Sequence, residues 1–319
     1  MRALNGYQLS EGKPRVNARG GWGALLLTAL VCVLFSAGCD NLSDERYRDD
    51  YVVEGYLVAN ETLSQVRVTR TEPLDGTWDI FSNAVSDALV TVSLLDDDGN
   101  AVLTSAYRED PNWPGIYRST TDHVVEGGRR YRLEARPPNS DEVITAETVV
   151  PRPFSTLRRT EHSLPYRCDE QFEWVFTGIE RDDEKQITYI MTAEAQEPTY
   201  DNLIAFYRRL IEEGATIEDF VRNSSPPVNE ANFRNDDGTI TLRLPWISIT
   251  FYGPSLITIS AIDDNLYDFV RSHSGQQGGG LAPGEIPNVI EHVENGRGVF
   301  GSMSRVREMV DVDAPGCAP

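Results

Sequence analysis

From Tyr51 onward, hydrophobic and polar residues alternate in short runs. Tyr51 to Val58 is rich in β-formers, Gln65 to Arg70 alternates strictly, and Ala88 to Leu95 is crowded with β-branched residues. Period two with one polar face marks antiparallel strands covered on one side. Asp98-Gly99 supplies a tight turn into Ala101-Val102-Leu103-Thr104, and Gly115 to Arg118 and Gly128 to Ala135 add further strands. In Gly128 to Ala135 and its continuation, Tyr131, Leu133 and Ala135 share one face while Arg130, Arg132, Glu134 and Arg136 share the other, as a solvated face or an anion site. Short strands at regular spacing over about 100 residues predict an immunoglobulin-like or transthyretin-like β-sandwich across residues 51–150. Pro151-Arg152-Pro153 closes that unit.

A second β-rich unit with a few short helices is predicted over residues 154–311, so the expected fold class is mainly β. Its strands are Gln171 to Thr177, Gln186 to Ala193, Thr239 to Leu244, Trp246 to Tyr252 and Leu256 to Ala261, with a turn at Asp237-Gly238. One helix is marked by Leu203, Ile204, Phe206, Tyr207, Leu210 and Ile211 at helical spacing, with Asp201 as its cap and Gly214 as its end. Thr216 with Asp219 predicts a second short helix, and Asp264 caps a third through Leu266, Phe269 and Val270. The glycine-rich stretch from Gly275 to Gly284 reads as a loop, and residues 312–319 as a tail.

Composition narrows the function. The chain has 319 residues, 40% hydrophobic, with 50 acidic and 29 basic residues for a net charge of −21. This is globular composition, and its acidity argues against a nucleic-acid binder, which recruits Lys and Arg to phosphates. Past the first forty residues no stretch reaches the roughly eighteen apolar residues needed to span a bilayer. Residues 1–38 read as a secretory leader, with Arg2, Lys13, Arg15 and Arg19 before the apolar run Ala24 to Phe35. The run ends at Ser36-Ala37-Gly38-Cys39, which resembles a bacterial lipobox with Ser36 where Leu is usual.

Cleavage before Cys39 and acylation of its thiol predict a lipid anchor, each buried methylene contributing about 0.8 kcal/mol. The mature chain then carries 25 basic and 49 acidic residues, a net −24. Residues 39–50 form an acidic, polar tether. Acidic residues just after a lipidated cysteine also resemble the export signals of surface lipoproteins in Bacteroidetes, so both faces of the outer membrane stay open. Cys168 and Cys317 are the remaining candidates for a disulfide in this oxidising compartment. It would close a loop worth roughly 5 kcal/mol in chain entropy. The alternative leaves Cys317 unpaired in the tail.

Several motifs resemble chemistry without its context. Gly296-Arg297-Gly298-Val299-Phe300-Gly301 satisfies the dinucleotide fingerprint but lies near the end of a β-rich chain, with no room for a parallel βαβ unit; close-packed strand glycines are expected instead. Acidic clusters at Asp96-Asp97-Asp98, Asp182-Asp183-Glu184, Asp236-Asp237 and Asp263-Asp264 sit at predicted turns and caps. His123, His162, His273 and His292 are scattered singly, and no zinc-ligand spacing or serine elbow occurs. No cofactor and no metal is expected.

Together these features resemble the Bacteroidetes lipoproteins grouped as domain of unknown function family 4249. The resemblance rests on Val52-Val53-Glu54-Gly55-Tyr56, Ala88-Leu89-Val90-Thr91-Val92, and Gly115-Ile116-Tyr117-Arg118 followed by Gly128-Arg129-Arg130-Tyr131-Arg132-Leu133. It continues in Leu266-Tyr267-Asp268-Phe269 and Asn295-Gly296-Arg297-Gly298-Val299-Phe300-Gly301, where Arg297 replaces a more usual apolar residue. It implies proteins encoded near TonB-dependent outer-membrane transporters and carries no catalytic residues to transfer. The expectation is a non-enzymatic, lipid-anchored outer-membrane protein that binds or escorts a ligand or partner for such a transporter. Two rivals stand beside it. One is a surface glycan hydrolase using two of the acidic residues, with Trp78, Trp113, Trp174 and Trp246 as sugar-stacking or core residues. The other is an adhesin or envelope-structural module. Mass spectrometry of the natural product is expected to find Cys39 as its first residue, carrying acyl chains; a bare amino terminus contradicts the anchor.

Overall fold

The computed structural model describes residues 49–73, 79–138, 140–160, 162–167, 170–181, 183, 185–277 and 290–315, without the side chains of 273–277. The expected leader, Cys39, most of the expected tether, Trp78, Cys168 and Cys317 lie outside these residues, as does the expected disulfide. The described chain is mainly β.

Alternating apolar residues form β1 (Tyr51–Val58), β2 (Val66–Arg70), β3 (Leu89–Leu95), β4 (Ala101–Asp110), β5 (Trp113–Ser119), β6 (Arg130–Arg136) and β7 (Ile144–Val149). β1 pairs with β2 and β2 with β5, all antiparallel, while β3 pairs with β6 and β6 with β7. β4 joins the two groups. Its Ala101–Ala106 half pairs with β3 and its Tyr107–Asp110 half with β5, so one strand turns the corner between sheets. The inward positions, among them Val53, Val68, Val92, Tyr117, Leu133 and Ile144, share one core.

The remaining strands are β8 (Thr156–Arg159), β9 (Ser163–Pro165), β10 (Glu173–Phe176), β11 (Thr188–Ala195), β12 (Arg222–Ser224), β13 (Val228–Asn229), β14 (Ile240–Arg243), β15 (Gly253–Ile262), β16 (Val293–Glu294) and β17 (Arg297–Asp313). The helices are α1 (Ala205–Glu212), α2 (Glu218–Val221) and α3 (Asp264–Gln277). A small sheet in the order β14-β10-β8 and the β11–β15 pair supply a second core around Trp174, Phe176, Tyr189, Leu242, Phe251 and Ile259.

β17 belongs to both cores. Its first half runs parallel to β1, from Val52 opposite Arg297 to Val58 opposite Met303. From Met303 to Val312 it pairs antiparallel with β15. Phe300 enters the first core, and Val310 and Val312 enter the second. At about 3.3 Å per residue, its length exceeds that of most strands.

Several local expectations change. α1 starts after Ile204 with no side-chain cap, and Asp201 lies in the preceding turn, where its carbonyl accepts from Arg208 Nη2 at 2.7 Å. Asp263, not Asp264, caps α3: its Oδ1 accepts from the Leu266 N–H at 3.0 Å. The α3 backbone continues to Gln277, past the expected loop start at Gly275. Trp246–Ser248 forms a single 3₁₀ turn rather than a strand, because Pro245 offers no N–H for a ladder and its carbonyl instead accepts from Ser248. β17 also runs through residues 312 and 313, expected in the tail.

The dinucleotide-like glycines lie at the start of β17. Gly298 has φ +107°, and a Cβ there would stand 2.1 Å from the Val53 carbonyl oxygen. Gly298→Ala is therefore expected to abolish two-state folding or to cost more than about 3 kcal/mol in urea denaturation. Gly99→Ala, at φ +83° with open space around it, should cost only about 1–2 kcal/mol. Equal losses contradict the close β1–β17 approach.

Candidate functional site

β7 ends and α3 begins beside one buried carboxylate. Asp263 follows β15, is 5% exposed, and donates its N–H to the Ser302 carbonyl at 3.0 Å. Its Oδ2 accepts from Thr148 Oγ1 at 2.5 Å, and the Thr148 and Ser302 hydroxyls lie 2.5 Å apart. A Ser302 proton on Thr148 and a Thr148 proton on Asp263 satisfy this chain of donors and acceptors. Asn265 Nδ2 donates to the carbonyls of Glu147 and Phe300 at 2.6 and 2.8 Å. Asp263 and Asn265 thus each stitch β7 to β17. Burial pushes the Asp263 carboxyl up to about 6, against the pull of the Thr148, Leu266 and Ser302 hydrogen bonds. No ion pair reaches it among the described residues.

Asp263 to Asn265 floor a cleft of about 590 Å³. One wall combines the β3–β4 turn at Leu95 to Asp97, the β6 entry at Gly128 to Arg130, and the β7 exit at Glu147 to Arg152. The rest of the lining comes from Ile179 to Arg181, Asp183, Lys185 and Ile187. Arg181 binds Asp183 through Nε and Nη2 at 2.8 and 2.6 Å, and Asp264 through Nη1 and Nη2 at 3.0 and 3.1 Å. Lys185 Nζ adds a 2.7 Å contact to Asp264. The Arg181 hydrogen bond holds Asp183 down at about 2. Burial pushes Asp264 up, but the hydrogen bonds from Arg181 and Lys185 outweigh it and keep that carboxyl below its usual range. Neighbouring carboxyls are thereby driven in opposite directions.

On the β6 side of the lining, Arg129 donates to the Leu95 carbonyl at 3.4 Å and stands 3.6 Å from Glu126. Arg130 is exposed, and its side chain has no hydrogen bond or ion pair among the described residues. The next arginines on that strand are neutralised, Arg132 by Glu147 and Arg136 by Glu134.

Three of the four acidic clusters therefore meet at one cleft, through Asp96 and Asp97, Asp183, and Asp263 and Asp264. Asp237 remains a turn residue, accepting from Thr239, and Asp182 and Glu184 lie outside the described residues. His123, His162 and His292 sit elsewhere, against Tyr131, Arg159 and Asp268. Among the described residues no group of three or more His, Cys, Asp or Glu is placed to hold a metal, and no helix is long and apolar enough to cross a membrane. Thr148, Ser302, Arg181 and Lys185 escaped the sequence reading. The available signal was a carboxylate directly after the alternating strand Ile257 to Ile262 and before a helix.

A sequence profile described as a domain of unknown function (DUF4249) matches residues 41–308. No curated protein matches the chain. Among solved structures, Salmonella alpha-2-macroglobulin reacted with methylamine is similar at 11% identity and TM-score 0.25, over 84% of this chain and 15% of that one. Trypsin-activated alpha-2-macroglobulin from Escherichia coli shows 10% identity and TM-score 0.21, over 68% and 14%. A tetra-tandem repeat in the extending region of a large adhesion protein shows 13% identity and TM-score 0.21, over 84% and 50%. The chain thus spans about one seventh of the macroglobulins and half of the adhesion fragment, and these likenesses carry no argument about function.

Asp263 has a measurable signature. Its carboxyl titrates higher folded than unfolded, so its contribution to stability is complete below about pH 4 and is lost as pH rises through about 6. The difference is about 3 kcal/mol. In urea denaturation from pH 4 to 7.5, Asp263→Asn should gain about that much relative to the wild type as pH rises. A gap between the two that stays constant across this window removes the buried-acid assignment.

Proposed function

Because the chain belongs to this DUF4249 family, whose description assigns no activity, we propose its role from its own residues. It is a lipid-anchored outer-membrane protein that holds a ligand in the cleft over Asp263 as an accessory to a TonB-dependent transporter. The observation that carries the binding role is the convergence of Arg129, Arg130, Arg181 and Lys185 with Asp96, Asp97, Asp183 and Asp264 around one cavity. Charged groups of both signs, held by a rigid β scaffold, offer oriented contacts to a polar ligand. The Ser36-Ala37-Gly38-Cys39 sequence supports the anchor, and the acidic tether supports a body held off anionic surfaces.

A surface glycan hydrolase is the second reading, favoured by the opposite titration shifts of Asp263 and Asp264. Its weakness is geometric. Asp263 is already committed to Thr148 and to the α3 amide, whereas a general acid must reach a leaving group.

Copurification from native membranes in mild detergent tests the leading reading. A TonB-dependent transporter should accompany the wild type, and Arg130→Glu with Lys185→Glu should lose any small molecule that native mass spectrometry finds on the protein. A preparation with neither transporter nor ligand contradicts it. Release of reducing sugar that disappears in Asp263→Asn would favour the hydrolase instead.

A further inference from the structure

We propose that the outer face of β1, β2 and β5 is a second binding site, built for a neutral saccharide. It lies apart from the cleft and does not rest on the reading given to it. Trp113, at the start of β5, stacks on Phe81 with ring centroids 5.9 Å apart and planes inclined by 23°. Each of the two residues is 53% exposed, whereas Trp174 is buried in the second core. A stacked pair left in water keeps a flat apolar surface available to a ligand.

Planar polar groups surround that surface. The ladder register sets Glu54 opposite Arg67 and Arg67 opposite the buried Ile116, so the three form one row across three strands. Gln65, Arg67 and Arg118 line, with the two rings, a shallow depression of about 290 Å³. The exposed Gln65 amide has no hydrogen-bond partner among the described residues, and the Arg118 side chain is 58% exposed, so both can reach a ligand.

Charge selects the ligand class. Arg67 Nη1 binds Glu54 at 2.9 Å, and Arg118 Nε binds Asp110 at 2.7 Å, so each cation is already neutralised. An acidic sugar finds no free positive charge there. A nucleic-acid base would suit the stacked rings, but its phosphates meet a chain of net charge −21. A neutral pyranose fits both features: its C–H face covers an aromatic ring, and its hydroxyls exchange hydrogen bonds with the amide and guanidinium edges.

Affinity electrophoresis of the mature protein in gels holding laminarin, starch, dextran or arabinoxylan, with polygalacturonate as the acidic comparison, tests the proposal. Retardation is expected in at least one neutral gel. The affinity should fall at least tenfold in Trp113→Ala and in Phe81→Ala and stay within about threefold in Trp113→Phe, which keeps a stacking ring. Far-UV circular dichroism should match the wild type for all three, since both side chains are exposed. Absence of retardation in every neutral gel overturns the proposal. So does equal binding by wild type and both alanine variants, or retention in polygalacturonate alone.

Discussion

The close approach of two backbones at Gly298 is the constraint on which the molecule depends. With a carbonyl where a Cβ would stand, only glycine lets β17 lie parallel against β1. That pairing joins residues almost 250 positions apart. Loop-closure entropy opposes so distant a contact, and two ladders on one strand offset it. Once β17 is seated, its second half is in register for β15, and a single strand serves both hydrophobic cores. Gly301 extends the same logic: a Cβ there would meet Leu266 at 2.4 Å, so the glycine makes room for α3.

Asp263 lies where these elements meet. Burying a carboxylate without a cation is unfavourable, and here a hydroxyl, an amide and the start of a helix partly compensate. The arrangement fixes the loop between β15 and α3 against Thr148 and Ser302 and sets the floor of the cleft. Stability given up at this carboxyl secures the placement of its neighbour Asp264, which gathers Arg181 and Lys185 into the mouth. Local instability traded for a fixed charged site is a recurrent mark of functional clefts.

Much of the fold was legible because strands β1 to β7 carry their inward residues at period two, and that signal needs no partner to be read. α1 was visible in its apolar spacing, but its cap was not, since Asp201 is used in a turn through its carbonyl rather than its side chain. Trp246 to Tyr252 looked like a strand by composition, while Pro245 dictated the backbone. The parallel pairing of β1 with β17 left no trace in local pattern beyond an oddly placed glycine. The cleft was illegible for a related reason: Asp97, Asp183 and Asp263 each resemble ordinary turn residues, and only tertiary contacts bring their elements together.

β1 also determines how the body meets tension. The chain enters it at Asp50, whose N–H donates to Thr71 Oγ1 at 3.0 Å and whose carboxylate stands 3.2 Å from Arg297 Nε. β1 is an interior strand, with β2 on one side and β17 on the other. A pull delivered through its amino end runs along the strand axis. Both ladders then bear the load in shear, many hydrogen bonds at once, instead of peeling open one after another. Loaded along its axis, the entry strand would act as a mechanical clamp.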